Sequence, residues 1–168
     1  MRKLAFGFIL GLGCIKVVFA ATVPASAAAS YTPDQQSVIA AAENWQQAID
    51  ARNPNAIAAL YDQDAHFYPT FVNAINSDPK ALHQYFVNLT QKPQLQVIYD
   101  QENPRVYGDG TVAVNSGLYT FSYLGPNKHT VQVHARFTFV YVKENGQWMI
   151  VEHQSSVLPQ KAKSTSGF

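Results

Sequence analysis

Asp100, Glu102, Tyr119, His134, Arg136, His153 and Ser155 could do chemistry together if strand pairing gathers them. Arginine is always charged, and its planar fork fits a carboxylate, either a ligand's or that of Glu102. Asn145-Gly146 favours a two-residue hairpin turn, because both central positions need positive φ. Taken as the loop, it pairs Glu144 with Gln147, Lys143 with Trp148 and Tyr141 with Ile150. Further out it pairs Phe139 with Glu152, Thr138 with His153, Phe137 with Gln154 and Arg136 with Ser155. Counting on through a Gly125–Lys128 loop sets Tyr119 beside His134 and Gly117 beside Arg136. A loop at Asp109-Gly110 then sets Asp100 beside Tyr119 and Glu102 beside Gly117. One sheet face would thus hold a ligand-anchoring Arg136 with Tyr119, His134 and His153, or else an Arg–Glu network between subunits. A slip of one residue in any turn moves its acids or bases to the opposite face.

The opposite face carries Phe137, Phe139, Tyr141, Trp148 and Ile150, with Glu152 and Gln154 at its end. A few polar groups at the mouth of an apolar cone is how small-molecule pockets are built, although such a wall also serves as ordinary core. Asp64 and His66, two apart on an extended stretch, would face the same way and could form an acid–base couple or a solvated loop end. No His-x-His, clustered carboxylates, nucleophile elbow or glycine-rich phosphate loop appears, so no metal and no cofactor is expected. Val140, Val142, Met149 and Val151 make the hairpin apolar on its second side as well. A hairpin with one wet face alternates more cleanly than this. Three short helices can cover only one face, so these residues are expected to form an interface with a second copy of the chain.

The elements that position these residues read in order. Thr32-Pro33-Asp34-Gln35 is a capping box opening a helix whose Val38, Ala41, Ala42, Trp45, Ala48 and Ile49 recur at helical spacing. Asn53-Pro54 starts a second, shorter helix with Ile57, Leu60 and Tyr61 on one side. Asp64 to Thr70 reads as a short extended piece. Asp78-Pro79 starts a third helix with a stripe of Leu82, Tyr85, Phe86 and Leu89. From Leu95 onward every segment reads as strand, turning at Gly108–Gly110, Gly125–Lys128 and Asn145-Gly146. Helices followed by an antiparallel meander give an α+β fold, with three helices on a curved sheet of four to six strands around a conical cavity.

Arg2 and Lys3 precede an uncharged run of about a dozen residues, Leu4 to Ile15, which suits a secretory leader and falls short of the roughly 20 residues of a membrane span. Small-x-small sites end at Ala20 and Ala27. The expected organisation is a signal peptide over 1–27, a linker over 28–32, one domain over 33–159 and a polar tail over 160–168. The location is then periplasmic or secreted. Without Arg2, Lys3 and Lys16 the chain holds 9 basic against 11 acidic residues, and its formal charge falls from +1 to −2. No basic run survives, so neither nucleic acid nor, after cleavage, a membrane is an expected partner.

A resemblance adds to this reading. Its carriers are Trp45, Leu60-Tyr61, Asp64-Ala65, Arg105-Val-Tyr-Gly108, Ser116-Gly-Leu-Tyr119 and the run Ala135–Tyr141 with Asn145-Gly-Gln-Trp148 and His153–Ser156. Over roughly Asp34 to Pro159 the chain resembles the nuclear transport factor 2-like superfamily. Within that superfamily it is most similar to the calcium/calmodulin-dependent protein kinase II association domain and its small exported bacterial relatives. The resemblance implies a conical pocket and self-assembly through the sheet into dimers or larger rings, without kinase activity. Three functions are consistent with it: a non-catalytic oligomerising domain holding a small anionic or aromatic molecule, a cofactor-independent acid–base enzyme of the isomerase, dehydratase or cyclase type, and a purely structural assembly protein.

Overall fold

The structure, a computed structural model, describes residues 30–159. The leader read over 1–27, the first residues of the linker and the tail over 160–168 lie outside the described residues. Each helix begins where its capping residue dictates. Thr32 accepts the Gln35 N–H at 3.3 Å and the Gln35 side chain accepts the Thr32 N–H at 2.9 Å, so the capping box opens α1 (Pro33–Asp50). Asn53 caps α2 (Pro54–Ala58) and Asp78 caps α3 (Pro79–Leu89), each followed by proline at the first helical position. The strands are β1 (Tyr61–Tyr68), β2 (Gln96–Tyr107), β3 (Val112–Leu124), β4 (Thr130–Glu144) and β5 (Gln147–Val157). They form one sheet in the order β1-β5-β4-β3-β2, antiparallel except where β1 runs parallel to β5. This is the expected α+β architecture. Tyr61, expected on the second helix, instead begins β1, because the Ile150 N–H reaches the Leu60 carbonyl and draws the chain into the sheet.

The register departs from the expected one at three places. Asn145 (φ 49°) and Gly146 (φ 83°) form the two-residue turn, and the pairing runs as expected to Tyr141 and Ile150. There Val151 becomes an extra residue of β5, a β-bulge. Beyond it Val140 faces Glu152, Phe139 faces His153, Phe137 faces Ser155 and Arg136 faces Ser156. The β3–β4 loop spans five residues, with Lys128 at φ 59° and the Gly125 N–H bonded to the His129 carbonyl, so Tyr119 pairs with Ala135 and His134 with Thr120. Between β2 and β3 Glu102 does face Gly117, but Asp100 is a second bulge. Gly117 is required by that bulge, since a Cβ there would lie 1.9 Å from the Gln101 carbonyl oxygen.

The three helices lie on the concave face. Trp45 of α1 sits at the centre of the core, edge-on to Tyr119, Phe121 and Phe139 at 5.4–6.4 Å. Phe137, Phe139, Tyr141, Trp148 and Ile150 line this face as expected, and α3 adds Leu82, Phe86 and Leu89. The convex face carries Val112, Val114 and Leu118 of β3, Val140 and Val142 of β4, and Met149 of β5, all half-buried with no helix of the described residues over them.

Trp148 is 9 % exposed, packs edge-on to Tyr141 and donates its indole N–H to Ser37 Oγ at 2.9 Å. Trp148→Ala is expected to lose about 3–5 kcal/mol in urea unfolding. A loss well under 1 kcal/mol would show that the α1–hairpin contact carries little of the fold.

Candidate functional site

The bulge at Val151 decides which side chains meet. It turns His153 and Ser155 inward, beside Phe139 and Phe137, and turns Glu152 and Gln154 outward, beside Val140 and Thr138. The five-residue loop likewise turns Tyr119 inward, while His134 and Arg136 stay on the convex face and are exposed. The expected gathering of Arg136, Tyr119, His134 and His153 on one face is therefore corrected. Tyr119 and His153 belong to the cone; Arg136, His134, Glu152 and Gln154 belong to the outside. The cause is one residue of slip in each of two ladders, enough to exchange faces.

Inside the cone a hydrogen-bonded chain runs from α1 to β5. Trp45 Nε1 donates to the Tyr61 hydroxyl at 3.0 Å, and that hydroxyl lies 2.8 Å from His153 Nδ1. Tyr61 accepts from Trp45 and shares a second hydrogen bond with Nδ1, whose donor is set by the imidazole tautomer. His153 Nε2 is buried and without a partner among the described residues. Burial lowers the His153 pKa from 6.5 to about 3, so the ring is neutral at physiological pH. It stacks on Phe67 at 4.8 Å and tilts against Phe139 at 4.2 Å. Beside it the Tyr119 hydroxyl donates to Ser155 Oγ at 2.5 Å, and Ser155 also meets the Thr70 hydroxyl. Burial pushes the Tyr119 pKa up to about 12.

One carboxylate enters the cone from β2. Asn115, fully buried, donates its Nδ2 hydrogen to Glu102 Oε1 at 2.8 Å. The Glu102 carboxyl is half-buried, and that burial raises its pKa, with Asn115 acting against the rise and Glu43 adding to it. Asn115 Oδ1 and the Tyr141 hydroxyl are buried without partners among the described residues. Burial, and then the nearby Glu102 charge, raise the Tyr141 pKa.

On the convex face Thr120 donates to Asp100 Oδ2 at 2.6 Å and so receives the His134 Nδ1 hydrogen at 2.8 Å. Arg105, not Arg136, bonds a side chain there, donating to Ser116 Oγ at 3.2 Å. His66 approaches Glu152 at 3.9 Å rather than Asp64, and both members of that pair are solvated. Asp64 and His66 thus form no couple. Among the described residues no group of three or more His, Cys, Asp or Glu could hold a metal ion. Asn115, Thr120 and Thr70 escaped the sequence reading as site residues, and Tyr61 was read only as part of an apolar stripe, since their roles depend on register.

Neutral His153 implies a pH dependence. The unfolded ring titrates near its ordinary 6.5 and the folded ring near 3, so the unfolded state binds the extra proton between those values. The stability contributed is present above about pH 6.5 and is lost as pH falls, by at most about 1.4 kcal/mol per unit for one group. The raised Glu102 carboxyl acts in the opposite sense, favouring the fold as it protonates. Comparison with His153→Gln isolates the histidine. Between pH 7 and pH 5 the wild type should lose more stability in urea unfolding than the variant does. Parallel profiles would refute a buried neutral imidazole.

Comparison with known proteins agrees with this geometry. Residues 34–159 match the family of the calcium/calmodulin dependent protein kinase II association domain. A solved structure from Xanthomonas campestris, assigned to that domain, is 32 % identical, with a TM-score of 0.69 over 73 % of this chain and 86 % of that one. A nuclear transport factor 2-like superfamily protein from Salmonella enterica is 17 % identical (TM-score 0.65), covering 80 % of this chain and 97 % of that one. A ketosteroid isomerase-like protein from Erwinia carotovora atroseptica is 13 % identical (TM-score 0.66), covering 77 % of this chain and all of the other. The last two share the fold alone. No curated protein matches the sequence. The chain belongs to the calcium/calmodulin dependent protein kinase II association domain family.

Proposed function

We propose that this member of the association-domain family is an exported, non-catalytic domain that assembles with copies of itself through the convex face of its sheet. The observation that carries the reading is that face. Val142 lies between Val112 and Met149, and Val114 lies beside Val140, with no helix of the described residues above them. A contiguous apolar patch left open on a monomer is unfavourable, and a closed two-fold dimer is the commonest way to bury one. Arg136, His134 and Asp100 lie farther along the same face and fit a polar rim. The family's description as an association domain supports self-assembly, and the leader read over 1–27 supports export.

A small molecule in the cone belongs to the same reading. The cone is filled by aromatic rings, so such a ligand would have to displace some of them. It would meet Tyr119, Ser155 and neutral His153, which suit an aromatic, uncharged molecule better than an anion. A second reading, the acid–base enzyme, rests on Glu102, whose raised pKa would let the carboxyl exchange protons closer to neutrality.

Sedimentation velocity tests the assembly. At about 50 μM, a concentration at which a micromolar dimer is largely formed, the wild type should sediment as a dimer or larger species. Val140→Glu and Val114→Glu, each central to the face, should give folded monomers. A folded wild-type monomer at that concentration would refute the reading, and a dimer surviving both substitutions would remove the convex face as the interface.

A further inference from the structure

A second opening lies outside the cone, between α1 and the β4–β5 hairpin. The two are tied by the Trp148–Ser37 hydrogen bond. Next to that contact the helix presents Ala40 and Ala41, too short to fill the space towards Trp148 and Ile150. A groove of about 370 Å3 results, with Leu60 and the buried Tyr141 also in its lining. That volume falls within the range of small-ligand sites, about 300–1,000 Å3. One wall is a rigid aromatic face, because Trp148 is held by Ser37 and covered by the Lys143 ammonium 4.5 Å from its ring centre.

The groove also offers unmatched hydrogen-bonding groups. In a two-residue hairpin the pair flanking the turn, Glu144 and Gln147, exchanges its backbone bonds, so Trp148 directs its N–H and C=O away from β4. On that side β1 begins to pair only at Ile150, through the bond to the Leu60 carbonyl. The Trp148 N–H and C=O therefore stand on an open stretch of sheet edge, where Trp148 is the one residue between the Gly146 turn and Ile150 that directs its backbone groups outward. The Tyr141 hydroxyl, on a residue 1 % exposed, has no partner among the described residues. Among the described residues Lys143 is the one charged side chain in the lining, already placed over the Trp148 ring, and no carboxylate lines the groove.

We propose that this groove binds a short, apolar, uncharged amide, the size of a single peptide-like residue, as a one-residue addition to the edge of β5. The ligand's carbonyl accepts the Trp148 N–H and its N–H donates to the Trp148 carbonyl, the pair of bonds an added strand makes. Its apolar side chain fills the slot beside Ala40 and Ala41, and the Tyr141 hydroxyl serves a further polar atom. Pairing of β5 with β1 from Ile150 onward limits the addition to this length. No carboxylate lines the groove to receive a cation, and the Lys143 ammonium is already engaged over the Trp148 ring, so the backbone pair favours the uncharged form. The groove opens outside the cone, on the far side of Tyr141, Trp148 and Ile150, and meets the convex face only at Met149.

Titration of the 15N-labelled protein with N-acetyl-leucinamide, followed by NMR, tests the proposal. The Trp148 backbone and indole N–H signals should shift saturably, with a Kd of about 1–10 mM, as expected for so small a ligand. Ala41→Phe fills the slot and should weaken binding at least about tenfold; Ala40→Phe, at an exposed position, provides the same block should the first variant not fold. Tyr141→Phe should weaken it several-fold. Isobutyl methyl ketone, with a similar apolar body and a carbonyl but no N–H, should bind at least about fivefold more weakly than the amide. No saturable shift at Trp148, or unchanged binding in a folded Phe variant, would overturn the site. Equal affinity for the ketone would overturn amide recognition.

Discussion

One extra residue in β5 governs the interior of this protein. The bulge at Val151 turns His153 and Ser155 beneath α1 and sends Glu152 and Gln154 outward. An imidazole buried among Trp45, Phe67 and Phe139 remains there only as the neutral base, since its charged form would lose its hydration without gaining a counter-ion. The Tyr61 hydroxyl offsets part of the desolvation by serving Nδ1, and Trp45 in turn serves Tyr61. Helix, first strand and last strand are thereby tied at one point. That bond network specifies how α1 sits in the cone, where aromatic packing alone would tolerate several arrangements.

The second bulge, at Asp100, sorts the charges. It places the Asp100 carboxylate on the convex face, where Thr120 links it to His134, and leaves Glu102 to face inward beside Asn115. Gly117 permits it, because any side chain there would collide with the β2 backbone. Each bulge adds local twist on either side of the central strands β3 and β4, helping the sheet curve around its helices. The outcome is a cone of neutral polar groups with one carboxylate, and an exterior that keeps Arg105, Arg136, His134 and Glu152 in contact with water.

What was legible in the sequence is what local chemistry fixes. Thr32, Asn53 and Asp78 announce three helices, each with a proline after it, and Asn145-Gly146 announces the hairpin, because caps and positive-φ turns depend on neighbouring residues only. The aromatic wall from Phe137 to Ile150 and the apolar outer set Val140, Val142 and Met149 follow from pairing close to that turn. The grouping of site residues was not legible, because it depends on events farther along the ladders. Nothing in Ile150-Val151-Glu152 marks an inserted residue, and Gly125 to His129 reads equally well as four residues or five. Each event shifts the pairing by one, and a period of two converts that shift into an exchange of faces. The resemblance carried the fold across these breaks, since it rested on the order of elements and on the hairpin's own residues.

The same alternation links the two surfaces proposed to act. Trp148 turns towards α1 and walls the groove, while its neighbour Met149 turns outward beside Val142. Both belong to the short stretch between the Gly146 turn and the first β1–β5 pair, where β5 has a partner on one side only. Such a stretch is held by β4 alone and opens more readily than the doubly paired strand beyond Ile150. Burying Met149 and Val142 against a second copy removes that freedom from the backbone that carries Trp148. Assembly through the convex face, as proposed, would therefore order the edge that carries the groove, without any change in the groove's own residues. A ligand on that edge, by linkage, favours the assembled state to the same extent.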